Sequence, residues 1–353
     1  MSGVLLVDWL GRGGIAQATA CWAAELDRAG RSVAVVTRGG RELAAMVPGV
    51  TGAGDGQGHL QAHRAVARAA AEAIRDRRPA TVVVQNYVLP VLEQPVYRAA
   101  REVGARLVVV IHDHRLHTLM AGNRVGLRRN LRRADVVVAH SRYVAEGVHR
   151  LTGGPVGALP LPLTLALFDP AAGTGDRPSA GDGRHTAIHF GILKRRYKGT
   201  DLVTALAEQG VRGWNFTLVG AGAPATTPGA LTVPRFAEAH ELMELVGGAD
   251  VALLPYSKAT QSGAVALSQA LGTVPVVSAV GGIPEQIVDG ETGRLVPAGA
   301  GPDVWRRVLE DLAADPAAIQ TMAKKARAHA WEAHDRFRSG ILELTNPEGK
   351  GRA

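Results

Sequence analysis

At 353 residues the chain exceeds one ordinary domain and suffices for two, each able to bury its own core. Its single cysteine, Cys21, excludes an internal disulfide and suits a reducing, cytoplasmic compartment. The formal charge of +8 shapes partner chemistry only where it clusters, and 4% aromatic residues without a recognised binding motif argue against nucleic acid.

The first seven residues carry no basic leader and run into a strand, so no signal peptide is expected. Apolar runs at 4–7, 33–36, 82–84, 107–111 and 136–138 alternate with amphipathic, alanine-rich helical segments at 15–29, 60–75 and 91–103. Near-continuous apolar strands between helices imply a parallel sheet covered on both faces. Arg124, Arg128, Arg129, Arg132 and Arg133 fall at four-residue spacings on one helix. They form either a solvated face or a surface that attracts an anionic acceptor or a membrane.

After Pro160-Leu161-Pro162, residues 169–184 are rich in Gly, Pro, Asp and Ala and read as a linker with a surface loop. A second alternating series follows, with strands near 187–190, 216–219, 251–254 and 274–277. Two doubly wound α/β domains are therefore expected, 1–165 and 166–325. A long helical segment after Pro316 reaches about residue 344, before a polar tail at 346–353. Residues 259–284 carry no charge and are long enough to span a bilayer. Gln261, Ser262, Gln269, Pro275 and several glycines make them a buried helix plus a strand instead, so no membrane span is expected.

Open parallel sheets bind ligands at the carboxyl ends of their strands. Following the apolar runs stand Gly11-Arg12-Gly13-Gly14, Asn86-Tyr87, His112-Asp113-His114, His140-Ser141, Gly191, Gly220-Ala221-Gly222, Pro255-Tyr256 and Ser278. Two such rows, joined by a linker, suggest an interdomain cleft. Gly13-Gly14 and Gln261-Ser262-Gly263 each precede a predicted helix, where bare N–H groups favour an anion. Lys194-Arg195-Arg196-Tyr197-Lys198-Gly199 adds cations after a strand. Taken singly, each also reads as a tight turn or a solvated surface. No Walker lysine, Gly-x-Gly-x-x-Gly, Asp-x-Asp, His-Glu-x-x-His or cysteine cluster is present, and Thr37-Arg38 ends the second strand without an acid. A nicotinamide cofactor and a tight metal site are thus not indicated, and a departing diphosphate would be met by Lys, Arg and helix N-termini.

Ordered over almost the whole chain, these residues resemble the retaining glycosyltransferases of family four, with their GT-B architecture of two facing Rossmann-like domains. The resemblance is carried by Gly13-Gly14, His112-Asp113, Arg133-Ala134-Asp135, His140-Ser141-Arg142-Tyr143-Val144 and Tyr197-Lys198-Gly199-Thr200-Asp201-Leu202. Its most specific part is Ala249-Asp250, Leu254-Pro255-Tyr256, Ala259-Thr260-Gln261-Ser262-Gly263, Gly281-Gly282-Ile283-Pro284-Glu285 and Asp289-Gly290-Glu291-Thr292-Gly293. It implies a UDP- or GDP-sugar donor, an unidentified acceptor, no metal or other cofactor, an acceptor-side first domain and a donor-side second domain. Gly13 and Gly14 would approach the donor phosphates, and His112 would lie beside the transferred sugar. Arg195 and Lys198 would neutralise the leaving diphosphate, while Ser262 and Gly263 would offer N–H groups. Gly191, Gly220, Thr260, Gln261, Gly282 and Glu285 complete the implied donor site. The terminal helix, 326–353 around Trp331, would cross back to brace the first domain.

Family members often carry two glutamates eight positions apart; here Thr260 and Ser268 stand in their places, as in a branch with an Ala-Thr-Gln-Ser-Gly motif. Ser268 is then expected to face the cleft and to tolerate glutamate. One apparent extra residue precedes Lys198 and another precedes Pro275. By spacing alone His112 reads as a structural histidine, Asp113 as a cap and Glu285 as a first-turn acid. His117 and His140 stay open, and His114 reads as a loop residue. An epimerase of the same architecture and a non-catalytic nucleotide-sugar binder are the alternatives.

Overall fold

The computed structural model describes residues 3–115, 122–164 and 183–346. The chain divides into two compact units, Met1–Leu167 with Ala333–Ala353, and Phe168–Glu332. His117 and most of the predicted linker lie outside the described residues.

The first unit runs β1 (Val4–Asp8), α1 (Gly13–Arg28), β2 (Val33–Arg38), α2 (Glu42–Met46), β3 (Thr51–Ala53), α3 (His59–Arg77), β4 (Thr81–Gln85), α4 (Pro90–Glu102), β5 (Arg106–Ile111), α5 (Asn123–Leu131), β6 (Val136–Ala139), α6 (Arg142–Thr152) and β7 (Gly157–Ala158). The sheet order is β3-β2-β1-β4-β5-β6-β7, with parallel pairing throughout. Side chains alternate between its faces, so each strand feeds two cores. Leu5, Val7, Val82, Val84, Val109 and Ile111 pack with α3 and α4 residues such as Val66, Ile74 and Val96. Val4, Leu6, Val83, Val108 and Val110 pack on the opposite face with Trp22 and Leu26 of α1. Phe337 and Ile341, from the end of α11 (Pro316–Leu344), complete that second core. His334 anchors the same helix end, 3.5 Å from buried Glu25 and accepting from the Leu163 amide.

The second unit runs β8 (His185–Phe190), α7 (Thr200–Gln209), β9 (Trp214–Val219), β10 (Ala230–Val233), α8 (Ala239–Gly247), β11 (Val251–Leu254), α9 (Gly263–Ala270), β12 (Val274–Ser278), β13 (Arg294–Val296) and α10 (Pro302–Ala314). Its sheet order is β10-β9-β8-β11-β12-β13, again parallel. Phe216, Leu218, Leu253 and Val276 meet Trp305 and Leu309 of α10 and Ile319 and Met322 of α11. The Trp214 indole donates to the Leu309 carbonyl at 2.8 Å.

Every predicted apolar run is a strand, and the uncharged 259–284 stretch forms α9 and β12 as expected. Four strands escaped prediction: β3, β7, β10 and β13. All four are sheet edges of two to four residues. An edge strand packs less and needs no continuous apolar run. The predicted arginine helix exists as α5, with Arg132 as its C-cap. Arg124, Arg128, Arg129 and Arg132 are exposed, Arg133 is half-buried, and Arg128 is tied to the Leu151 carbonyl. Among the described residues no helix is long and apolar enough to cross a membrane.

Candidate active site

At the carboxyl end of the first sheet, buried Asp8 organises the turn after β1. Its carboxylate accepts from the Leu10 and Gly11 amides and from the Thr19 hydroxyl. Burial raises its pKa, and those hydrogen bonds oppose the shift. Gly13 and Gly14 open α1 as predicted, with no atom within 4 Å of a side chain added at either. An anion does sit on this helix start, but it is the protein's own: the Gly13 amide donates to Glu42 Oε2 at 2.9 Å.

His112 follows β5 and is buried. Its Nε2 lies 3.1 Å from Gln85 Oε1, and its amide donates to Asn86 Oδ1 at 3.3 Å. Asn86 holds a left-handed backbone (φ 65°), an uncommon state for a residue with a side chain. Its backbone pairs with the Val110 carbonyl and the Trp9 indole, so one strained residue ties β1, β4 and β5 beneath His112. The His140 ring stands 4.6 Å from that of His112. His140 Nδ1 lies 3.2 Å from the Leu159 and Pro160 carbonyls, which only accept, so Nδ1 carries the proton. Burial and the neighbouring His140 hold His112 well below the usual imidazole range, and burial takes His140 to about 4. Both rings are neutral at pH 7, able to exchange hydrogen bonds but not to act as cations. His114 is a loop residue, as read, packed edge-on against Tyr143 and over Gly147.

In the second unit, Arg195 and Lys198 share one tight turn, since the Lys198 amide donates to the Arg195 carbonyl. Arg195 is exposed. Gly199 then starts α7 with φ 70°, and a side chain there would strike the Pro255 carbonyl at 2.2 Å. This close approach sets Lys198 against the residue after Pro255. Its Nζ donates to Tyr256 Oη at 3.0 Å and stands 4.1 Å over the Tyr256 ring. Buried His189 supports the turn, bridging the Leu253 carbonyl and the Thr200 hydroxyl, with its pKa taken to about 4 chiefly by burial. Gly191 and Gly220 end the adjacent strands β8 and β9. A side chain on Gly220 would strike the Gly191 carbonyl, so close packing accounts for Gly220, while Gly191 holds a φ of 118° that favours glycine.

Ser262 caps α9, its Oγ accepting from the Val265 amide and donating to Tyr256 Oη at 3.5 Å. Its backbone is clamped by Gln286: the Ser262 amide donates to Gln286 Oε1 at 2.8 Å, and Gln286 Nε2 donates to the Ser262 carbonyl at 3.1 Å. Gln269 Nε2 in turn binds the Gln286 and Thr292 carbonyls. The Ser262 amide is therefore spent within the protein and is not the open donor the sequence reading expected; Gly263 begins the helix one residue on. Thr260 and Gln261 lie half-buried in the preceding loop, Gly282 is buried before the turn Ile283–Glu285, and Glu285 is exposed. Gln85 and Gln286 were not anticipated. Gln286 directly follows the Gly-Gly-Ile-Pro-Glu motif, but a neutral amide carries no label in a sequence.

A second expectation is overturned. Ser268 does not face open space: it is fully buried, and its Oγ donates to the Ala264 carbonyl at 2.7 Å. Position 268 sits on the inward side of α9, where a serine closes its hydroxyl onto its own helix.

Residues 13–163 match the family described as "Glycosyl transferase 4-like domain", and residues 184–315 match "Glycosyl transferases group 1". One match falls in each unit, and the two parallel-sheet α/β domains together have the GT-B fold. This GT-B chain is 43% identical over 92 residues to the D-inositol 3-phosphate glycosyltransferase of Corynebacterium diphtheriae, an alignment covering 26% of the chain and 21% of that relative. The chain thus aligns with about a fifth of that relative's length. Two solved structures share the fold. Anabaena HepE in complex with UDP-glucose has a TM-score of 0.75 at 15% identity, covering 97% of this chain and 99% of that one. A glycosyltransferase from Rickettsia africae has a TM-score of 0.78 at 15% identity, covering 100% and 99%.

Proposed function

We propose that the protein is a retaining glycosyltransferase that moves a sugar from a nucleotide-diphosphate donor, a UDP- or GDP-sugar, to an acceptor hydroxyl without needing a metal. The observation that carries this reading is the chain of contacts Lys198–Tyr256–Ser262–Gln286 at the carboxyl ends of the second sheet. It holds an ammonium group beside the start of α9, so a cation and a helix N-terminus stand together where a leaving diphosphate would gain charge. HepE, which shares the fold, is described with UDP-glucose, and this favours a uridine donor.

In this mechanism the bond from the anomeric carbon to the diphosphate oxygen breaks, and the acceptor oxygen bonds to that carbon from the same face. The departing phosphate takes the acceptor proton, so no separate carboxylate base is required. Lys198 and Arg195 stabilise the diphosphate as it leaves, and Gln286 keeps the Ser262 loop in place. Neutral His112, held by Gln85 and Asn86, hydrogen-bonds the transferred sugar.

Incubation with UDP- and GDP-sugars tests the proposal. Released nucleotide, together with sugar transferred in the donor's anomeric configuration, is expected. An isomerised donor would mark an epimerase instead, and binding without turnover a nucleotide-sugar binding protein.

A further inference from the structure

Strands β3, β2 and β1 are parallel neighbours, so the loops after them emerge side by side at one corner of the first sheet. These loops are in direct contact. The Leu43 amide donates to the Gly11 carbonyl, the Gly39 amide to the Ala53 carbonyl, and Arg38 Nη2 to the Gln57 carbonyl at 2.9 Å. A side chain on Gly11 would come within 2.9 Å of Arg41 Cβ. This junction brings Arg12 and Arg41 close enough to act on the charge of Arg38, and Arg12 and Arg38 on that of His59, which opens α3.

The cluster has no ion-pair partner among the described residues: none of the three guanidinium groups has a carboxylate within ion-pair distance. The two nearby acids face backbone amides instead, Glu42 accepting from Gly13 and Asp55 from Gly56. Arg38 and Arg41 are half-buried, and Arg12 is exposed. Arg41 and Arg12 both depress the Arg38 pKa, after burial, and Asp55 only partly opposes them. Like charges confined to converging loops cost stability, unlike arginines spread along a helix face, and such a cost is usual at binding sites. The corner lies at the carboxyl ends of parallel strands, where open α/β sheets bind ligands. Guanidinium forks match the oxygens of a phosphate, and three of them suit a dianion.

We propose that Arg12, Arg38 and Arg41 form an oxyanion site on the first domain that takes the phosphate group of a phosphorylated acceptor. The acceptor role rests on the glycosyltransferase reading; the oxyanion site itself does not.

The test is calorimetric titration of the full chain with inorganic phosphate, glucose 6-phosphate, glucose and UDP, comparing the parent with Arg38→Gln, Arg41→Gln and Lys198→Ala. Phosphate and glucose 6-phosphate are expected to bind the parent, glucose at least tenfold more weakly. Arg38→Gln and Arg41→Gln should weaken both phosphate ligands at least tenfold while changing UDP affinity less than twofold. Lys198→Ala should show the reverse. In phosphate-free buffer the two arginine variants should melt no lower than the parent, since they relieve repulsion; phosphate should raise the parent's melting temperature but not theirs. The proposal is overturned if neither phosphate ligand binds, if the arginine variants bind phosphate like the parent, or if they lose UDP as Lys198→Ala does. That last result would place the arginines on the donor's diphosphate. A parent that binds phosphate through these arginines but binds no nucleotide would sink the glycosyltransferase reading and leave the oxyanion site standing.

Discussion

Lys198 reaches its place through Tyr256: the ammonium group donates to the phenol oxygen and rests over the same ring. A lysine held on both counts by one buried aromatic loses little side-chain freedom when it later meets an anion.

Lys198→Ala removes the cation from the developing diphosphate charge. Such electrostatic partners act mainly in the transition state, so turnover should fall on the order of a hundredfold, with a smaller change in donor KM. Tyr256→Phe keeps the ring and should cost much less. Steady-state kinetics check both, and a Lys198→Ala rate within about threefold of the parent would remove the lysine from the site.

Gln286 satisfies both backbone groups of Ser262. Gln286→Ala would strand them, at about 1–3 kcal/mol for each that stays buried. Because the clamp positions the loop before α9 and touches no reacting atom, donor KM should rise more than kcat falls. Gln286→Glu keeps the acceptor but loses the donor, and should fall between parent and alanine variant. Equal kinetics for all three proteins would show that the clamp is incidental.

Ser268→Glu should destabilise strongly, by roughly 3 kcal/mol or more, because it places a carboxylate where the serine is fully buried. Ser268→Ala should cost roughly 1 kcal/mol. Denaturant melts separate the two. A glutamate variant as stable as the parent, with tighter nucleotide binding, would restore the ribose-recognition role that the burial removes.

His112, His140 and His189 are all buried with depressed pKa values, the last two at about 4. In the unfolded chain each titrates near 6.5. Below that pH the unfolded state takes up protons that the folded state refuses. Their contribution is therefore complete above about pH 6.5 and is lost as pH falls towards 4, on the order of 3 kcal/mol for each shift of this size. Asp8 opposes this, since its raised pKa favours the folded state as it protonates. Unfolding free energies measured from pH 7.5 to 4.5 should decline; a flat profile would contradict neutral buried imidazoles.

Sugar transfer should survive dialysis against a chelator, because the proposed charge stabilisation comes from Lys198, Arg195 and the start of α9. Activity abolished by the chelator and restored by magnesium or manganese would refute the metal-independent mechanism.

The amino-acid sequence by itself determined the two-sheet plan. Central strands of a parallel sheet are buried on both faces, so β1, β4 and β5 spell themselves out as Val, Leu and Ile runs, β11 and β12 as apolar runs interrupted only by Ala252 and Pro275, and the glycines and Lys198 are legible as motif positions. The edge strands β3, β7, β10 and β13 left no comparable mark. Only tertiary structure decided what those motif residues do with their polar atoms. Ser262 meets Gln286 across 24 positions, and Lys198 meets Tyr256 across 58, because strand ends converge. Glu42 reaches Gly13, and Ser268 turns inward, for reasons no local period records. Periodicity reports which face of an element is buried; hydrogen-bond partners are chosen by the parallel stacking of strands far apart in the chain.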